Sequence, residues 1–189
     1  STHEGEEDVV FDVYRKLLPD HPDLRLIVVP RHIDRGEAVF SLAKQKGFED
    51  AVRMTEIRAG KEPADERVII IDVIGELFKV YGLATLVFCG GSLVPRGGQN
   101  ILEAAAWGKV VLYGPSMEDF LDEKGMLEEA GAGITIRNGD ELYRWIDGLL
   151  RDPETLVQRG ESGRSRVMAN RGASKRYAEL IIGALGARR

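Results

Sequence analysis

Short apolar runs alternate with helix-patterned stretches along nearly the whole chain, and no other feature limits the possible folds as strongly. The runs Leu24–Val29, Val52–Ile57, Val68–Ile71, Leu86–Cys89, Val110–Tyr113 and Gly133–Ile136 are mostly continuous and rich in β-branched residues, as strands covered on both faces are. Between them, Val10, Val13, Tyr14 and Leu17 recur at helical spacing, and so do Leu142, Trp145, Ile146, Leu149 and Leu150. Strands alternating with helices predict an α/β fold in which a parallel sheet carries helices on both faces. Asp152-Pro153 opens a further helix, and Gly172 separates it from a last one through Tyr177, Leu180 and Ile181. The polar segment Arg58–Glu66, with Gly60 and Pro63, reads as an exposed loop between two strands.

A length of 189 residues, 43% of them hydrophobic, is enough for one substantial core, so residues 1–189 are read as a single domain. The 26 basic and 31 acidic side chains are interspersed and leave a formal charge of -5, which argues against a nucleic-acid binder with its basic face. The single Cys89 lies in an apolar run and reads as a buried, inert thiol. No apolar stretch approaches the roughly 20 residues that span a bilayer, and the start Ser1 to Glu7 lacks the basic-then-apolar order of an export signal. A soluble cytoplasmic domain is therefore expected. His3, His21 and His32 have no cysteine or second histidine at ligand spacing, so neither a metal nor a cofactor is expected. The first helix, near Glu6 to Leu18, is preceded only by the loop Ser1–Gly5, whereas a parallel α/β unit leads into each helix from a strand. A strand before Ser1 is therefore read as missing.

Ligands of open α/β sheets bind outside the carboxyl ends of the strands, where helix N-termini present free N–H groups to anions. Four loops of this kind stand out. Ser1-Thr2-His3-Glu4-Gly5-Glu6-Glu7 has hydroxyls and acids that suit a helix cap, but a cap requires neither His3 nor Gly5. Pro30-Arg31-His32 follows the first run, and an arginine there can fork onto a phosphate or carboxylate. In Asp72-Val73-Ile74-Gly75-Glu76-Leu77, Gly75 lets a ligand approach the backbone ahead of a helix where Glu76 meets the positive end. The richest loop is Gly90-Gly91-Ser92 followed by Gly97-Gly98-Gln99-Asn100, whose two glycine pairs bracket a candidate anion cradle. Asn100 and Glu103 are three residues apart and share one helix face. A carboxylate at Glu103 can accept from both ribose hydroxyls. Neither the Gly-x-Gly-x-x-Gly dinucleotide pattern nor the P-loop is present.

With these loops in view, the chain resembles the C-terminal half of the 3-deoxy-D-manno-octulosonic acid (Kdo) transferases of lipopolysaccharide synthesis, which have the GT-B glycosyltransferase fold. The matching stretches are Ser1–Glu7, Pro30-Arg31-His32, Gly75-Glu76-Leu77 with Tyr81, Gly90-Gly91-Ser92-Leu93-Val94, Gly97-Gly98-Gln99-Asn100, Glu103 with Ala105-Ala106, and Gly114-Pro115 with Phe120. They cover about the first two thirds of the chain. The family has histidine where Gln99 stands and methionine where Ile74 stands. The resemblance implies a Rossmann-like domain that holds the donor CMP-Kdo through Ser1, Thr2, His3, Pro30, Arg31, Gly75, Glu76, Leu77, Gly90, Gly91, Ser92, Asn100 and Glu103. It also implies inverting, metal-independent transfer to a lipid A precursor at the cytoplasmic face of the bacterial inner membrane. The catalytic carboxylate and the membrane-facing acceptor site belong to an N-terminal half, so no catalytic residue is assigned within these 189 residues.

Glycine loops and a ribose-binding glutamate recur across the GT-B fold, so a UDP-sugar transferase or a UDP-N-acetylglucosamine 2-epimerase domain is a competing reading. A nucleotide-binding module without catalysis is another.

Overall fold

The computed structural model describes residues 1–62 and 66–170. Helix α1 (Glu6–Leu17) leads into strand β1 (Leu26–Val28), a 3-10 turn (Ile33–Arg35) and α2 (Gly36–Gln45). Then follow β2 (Val52–Arg53), α3 (Met54–Arg58), β3 (Val68–Ile70), α4 (Leu77–Leu83), β4 (Val87–Cys89), α5 (Leu102–Ala106) and β5 (Val111–Tyr113). A second 3-10 turn (Glu118–Phe120), α6 (Leu121–Glu129), β6 (Gly133–Thr135), α7 (Gly139–Arg151) and α8 (Pro153–Asn170) complete the described chain.

All strand pairs are parallel, as the continuous apolar runs predict, but they form two three-stranded sheets, ordered β1-β3-β2 and β4-β5-β6. The alternation of side chains in β5 shows why helices cover both faces. Val110 and Leu112 join a core cluster with Val13 and Leu17 of α1 and Leu142 and Leu149 of α7, whereas Val111 and Tyr113 join another with Ala104, Ala105 and Leu127. Helix α1 also sends Phe11 and Tyr14 to the first sheet, where they pack with Val28, Val39, Phe48, Val68 and Ile70. One helix therefore ties the two sheets together and fixes the loops at their carboxyl ends.

Three sequence expectations change here. The run Val52–Ile57 is a strand only at Val52 and Arg53, because helix α3 takes over at Met54. The Glu56 carboxylate accepts from the Arg53 N–H at 2.9 Å, and Asp72 accepts from the Thr55 N–H at 2.9 Å and from the Thr55 hydroxyl. These bonds satisfy the first-turn donors that an extended strand would have directed to a neighbour. The segment after Arg58 consequently joins a helix to β3, not a strand to a strand. Thr2 does not cap α1: the capping position is Gly5, at φ 90°, a left-handed conformation that glycine adopts without steric cost. The last helix expected beyond Gly172 lies outside the described residues.

Candidate functional site

Parallel strands place their carboxyl ends on one edge, and the segment Ser1–Glu7 joins the edges of the two sheets. On the first sheet, the Thr2 N–H donates to the Val29 carbonyl at 2.9 Å and its carbonyl accepts from the Arg31 N–H at 2.9 Å, a parallel bridge opposite Pro30. On the second sheet, Gly90 lies so close that an added Cβ would sit 2.1 Å from the Ser1 carbonyl oxygen. Thr2 is buried, and its hydroxyl has no hydrogen-bond partner among the described residues.

The glycine cradle already holds an anion, and it belongs to the protein. Glu6, fully buried, accepts from the N–H groups of Gly91 at 2.7 Å, Ser92 at 3.0 Å and Leu93 at 3.0 Å, and from that of His3 at 2.9 Å. Four N–H donors around one carboxylate compensate its burial. The buried Ser92 hydroxyl bridges onward, donating to the Cys89 carbonyl and accepting from the Gly114 N–H. The second glycine pair folds onto the first, since the Gly98 N–H donates to the Gly91 carbonyl at 2.9 Å. Gly90, Gly91 and Ser92 therefore shape the floor of this edge, while the N–H groups of Gly91 and Ser92 are taken by Glu6.

Above that floor lies a group of cationic and imidazole side chains. His3, His32, Arg35 and Arg96, with Glu4, Val94 and Pro95, line an open cavity of about 620 Å³. The His3 and His32 rings meet edge-on, with centroids 6.0 Å apart, and the His3 Nε2 lies 3.4 Å from the Gln99 Nε2. Burial pushes the His3 imidazole below its ordinary value, and Arg96, His32 and Arg35 push it the same way, opposed by Glu6. Arg35 is held by the buried Glu7, at 2.7 and 3.3 Å, which fixes its fork in the cavity lining. Arg31, next to buried Pro30, is exposed at the same sheet edge.

The remaining expected site residues form two further groups. Gly75 is exposed and has open space around it, and Glu76 and Leu77 begin α4. The Glu76 carboxylate pairs with Arg58 at 2.5 Å and Lys79 at 3.3 Å. Asn100 accepts from the Leu102 N–H at 3.0 Å and donates to Glu103 Oε1 at 3.3 Å, so the expected shared face is formed. The capping position of α5 is Ile101 and not Asn100, but from one residue earlier the Asn100 side-chain carbonyl still accepts from the first helical N–H while its amide orients Glu103. Sequence reasoning missed Glu6 and Glu7 as buried anchors and Arg35 and Arg96 as site cations. The two acids carried a cap-like signal that concealed partners far along the chain.

Comparison with known proteins bears directly on this arrangement. A 3-deoxy-D-manno-octulosonic acid transferase of Haemophilus influenzae is 35% identical over 182 residues, which is 96% of this chain and 42% of the relative. That of Aquifex aeolicus is 32% identical over 150 residues, covering 79% of this chain and 40% of the relative. The C-terminal CMP-Kdo binding domain of WaaA from Acinetobacter baumannii superposes with a TM-score of 0.80 at 27% identity, over 88% of this chain and 86% of that domain. The chain belongs with the C-terminal domains of the Kdo transferases. No family model matches it. It spans about two fifths of the length of these two relatives. Its Rossmann-like α/β architecture is that of the C-terminal half of a GT-B protein. The C-terminal domain of a group 1 glycosyl transferase from Francisella tularensis shares the fold, with a TM-score of 0.56 at 16% identity.

Proposed function

We propose that this Kdo transferase-family domain holds CMP-Kdo as the donor half of an inverting, metal-independent glycosyltransferase. The observation that carries the reading is its superposition on a CMP-Kdo binding domain over nearly its whole described length. The polar edge is chemically suited to that donor, which carries both a phosphate and a sugar carboxylate. Arg31, His3 and the neighbouring His32 and Arg96 supply positive or donating groups from separate loops, and Glu103, oriented by Asn100, presents a second carboxylate oxygen to the ribose hydroxyls. Ser1, Gly75, Glu76 and Leu77 line the donor site around them, and the buried Thr2, Pro30, Gly90, Gly91 and Ser92 shape its floor. In the transfer, an acceptor hydroxyl attacks the anomeric carbon of Kdo while CMP departs. The cations stabilise the negative charge that grows on the leaving phosphate, the role a metal fills elsewhere. The general base and the lipid A precursor site belong to the rest of the longer protein, which works at the cytoplasmic face of the inner membrane. Among the described residues no helix is long and apolar enough to cross a membrane, and membrane association is assigned to that other half.

The test is a comparison of nucleotides on the 189-residue chain. CMP is expected to raise its melting temperature and to shift the amide signals of Arg31, Gly75 and Glu103, while the chain alone transfers no Kdo to a lipid A precursor. Equal or stronger protection by UMP would favour the UDP-sugar reading and defeat this one.

A further inference from the structure

The side chains of His3 and Gln99 meet beside Gly91, although 96 positions separate them in the chain. A Cβ on Gly91 would lie 3.3 Å from the His3 Cδ2 and 3.4 Å from the Gln99 Nε2, so the bare glycine leaves the pair its room. Both partners are anchored through their backbones. The His3 N–H donates to Glu6 at 2.9 Å, and the Gly98 N–H, one residue before Gln99, donates to the Gly91 carbonyl at 2.9 Å. Ring and amide therefore meet on a floor that Glu6 and the two glycine pairs already fix.

The chemistry of the contact selects one form of the ring. The Gln99 Nε2 lies 3.4 Å from the His3 Nε2, and an amide nitrogen donates without accepting. The His3 Nε2 must then accept, which a neutral imidazole does only when its proton sits on Nδ1. The Nε2–H tautomer and the imidazolium would both set N–H against N–H. Burial, the cations Arg96 and Arg35 and the neighbouring His32 favour the neutral ring against the pull of Glu6. With Nε2 turned to Gln99, Nδ1 is the remaining polar atom of the ring, and it has no hydrogen-bond partner among the described residues. The ring itself lines the open cavity, together with Glu4, His32, Arg35 and Arg96.

We propose that Gln99 is a positioning residue: its amide holds His3 as the Nδ1–H tautomer, so that the ring offers the cavity an uncharged N–H donor for an anionic oxygen. The arginines supply charge at this edge, and His3 supplies direction. Use of that donor by the phosphate of CMP rests on the function proposed above, whereas the hold of Gln99 on the tautomer does not.

Long-range proton–nitrogen NMR of the histidine-labelled 189-residue chain at pH 8 reads the tautomer directly, and the His3→Gln spectrum identifies the ring among the three histidines. Wild-type His3 is expected to show a proton-bearing Nδ1 and a bare Nε2. Gln99→Leu removes the donor and is expected to move the ring toward Nε2–H, while Gln99→Glu puts an acceptor in its place and is expected to reverse the tautomer. The CMP affinity of Gln99→Leu is expected to fall about three- to tenfold at an unchanged melting temperature, the scale of one weakened hydrogen bond to a charged group. The proposal is overturned if wild-type His3 carries its proton on Nε2 or on both nitrogens, if Nδ1–H persists undiminished in either variant, or if Gln99→Leu binds CMP like the wild type. A wild-type chain with the expected tautomer and no affinity for CMP would support the hold of Gln99 on His3 and count against the donor function instead.

Discussion

The Glu6 carboxylate lies 2.7 Å from the backbone N–H of Gly91, a residue 85 positions away in the chain. This contact, with those to Ser92, Leu93 and His3, fixes the β4 loop to the start of α1 and sets the floor of the proposed donor site. Glu6→Gln keeps the shape but turns an NH₂ group toward two N–H donors. It is expected to cost about 3 kcal/mol or more, because buried donors lose a charged acceptor. Urea unfolding of both proteins measures this, and a loss below about 1 kcal/mol would mean that the loop does not depend on the carboxylate.

Gly90 is a position where a single methyl group decides packing. An added Cβ would sit 2.1 Å from the Ser1 carbonyl and 2.7 Å from the Thr2 Cα, both backbone atoms that cannot turn aside. Gly90→Ala is expected to destabilise by roughly 1–3 kcal/mol, the scale of overpacking. Gly75→Ala provides a contrast: it meets no atom within 4 Å, so its cost comes from φ 89° alone and is expected near 1 kcal/mol. Denaturant titration of the two variants gives the order.

The pH dependence of stability should report on His3. Burial holds its folded-state value below the unfolded one, which is near 6.5. Folding therefore favours the neutral ring, and the associated stability is fully present above about pH 6.5 and is lost as pH falls toward the folded value. The stability difference between wild type and His3→Gln is expected to shift against the wild type over that interval and to stay flat above pH 7.5 or so. A difference that is constant from pH 5 to 8 would mean that the ring titrates as in water.

Cys89 is buried, and burial raises its thiol to about 11. Little thiolate forms at neutral pH, and access is closed as well. A thiol reagent at pH 8 is expected to modify it no faster than the protein opens. Rapid labelling in native buffer, at the rate of a free thiol, would contradict that burial.

Arg31 is exposed, so its replacement isolates ligand chemistry. In a full-length protein containing this domain, Arg31→Ala is expected to weaken CMP binding by roughly 1.5–3 kcal/mol, the scale of a hydrogen bond to a charged group, with an unchanged melting temperature. Titration calorimetry and thermal melts distinguish a binding role from a structural one. Wild-type affinity in the variant would remove Arg31 from the donor site.

The class of fold, and the edge on which the loops gather, are already legible in the apolar patterning of the chain. Continuous β-branched runs between amphipathic helices leave little alternative to parallel strands, and local spacing alone brings Asn100 to Glu103. The run Val52–Ile57 was misleading because Glu56 and Asp72 complete a helical turn that apolar patterning does not register. Tertiary structure decided what the glycine loop holds. Glu6 and Glu7 carry the local pattern of a helix cap, and only the packing of α1 across both sheets turns them inward, one to the amides after β4 and the other to Arg35. The physical reason is that a buried carboxylate is determined by donors distant in sequence, whose positions no local periodicity encodes.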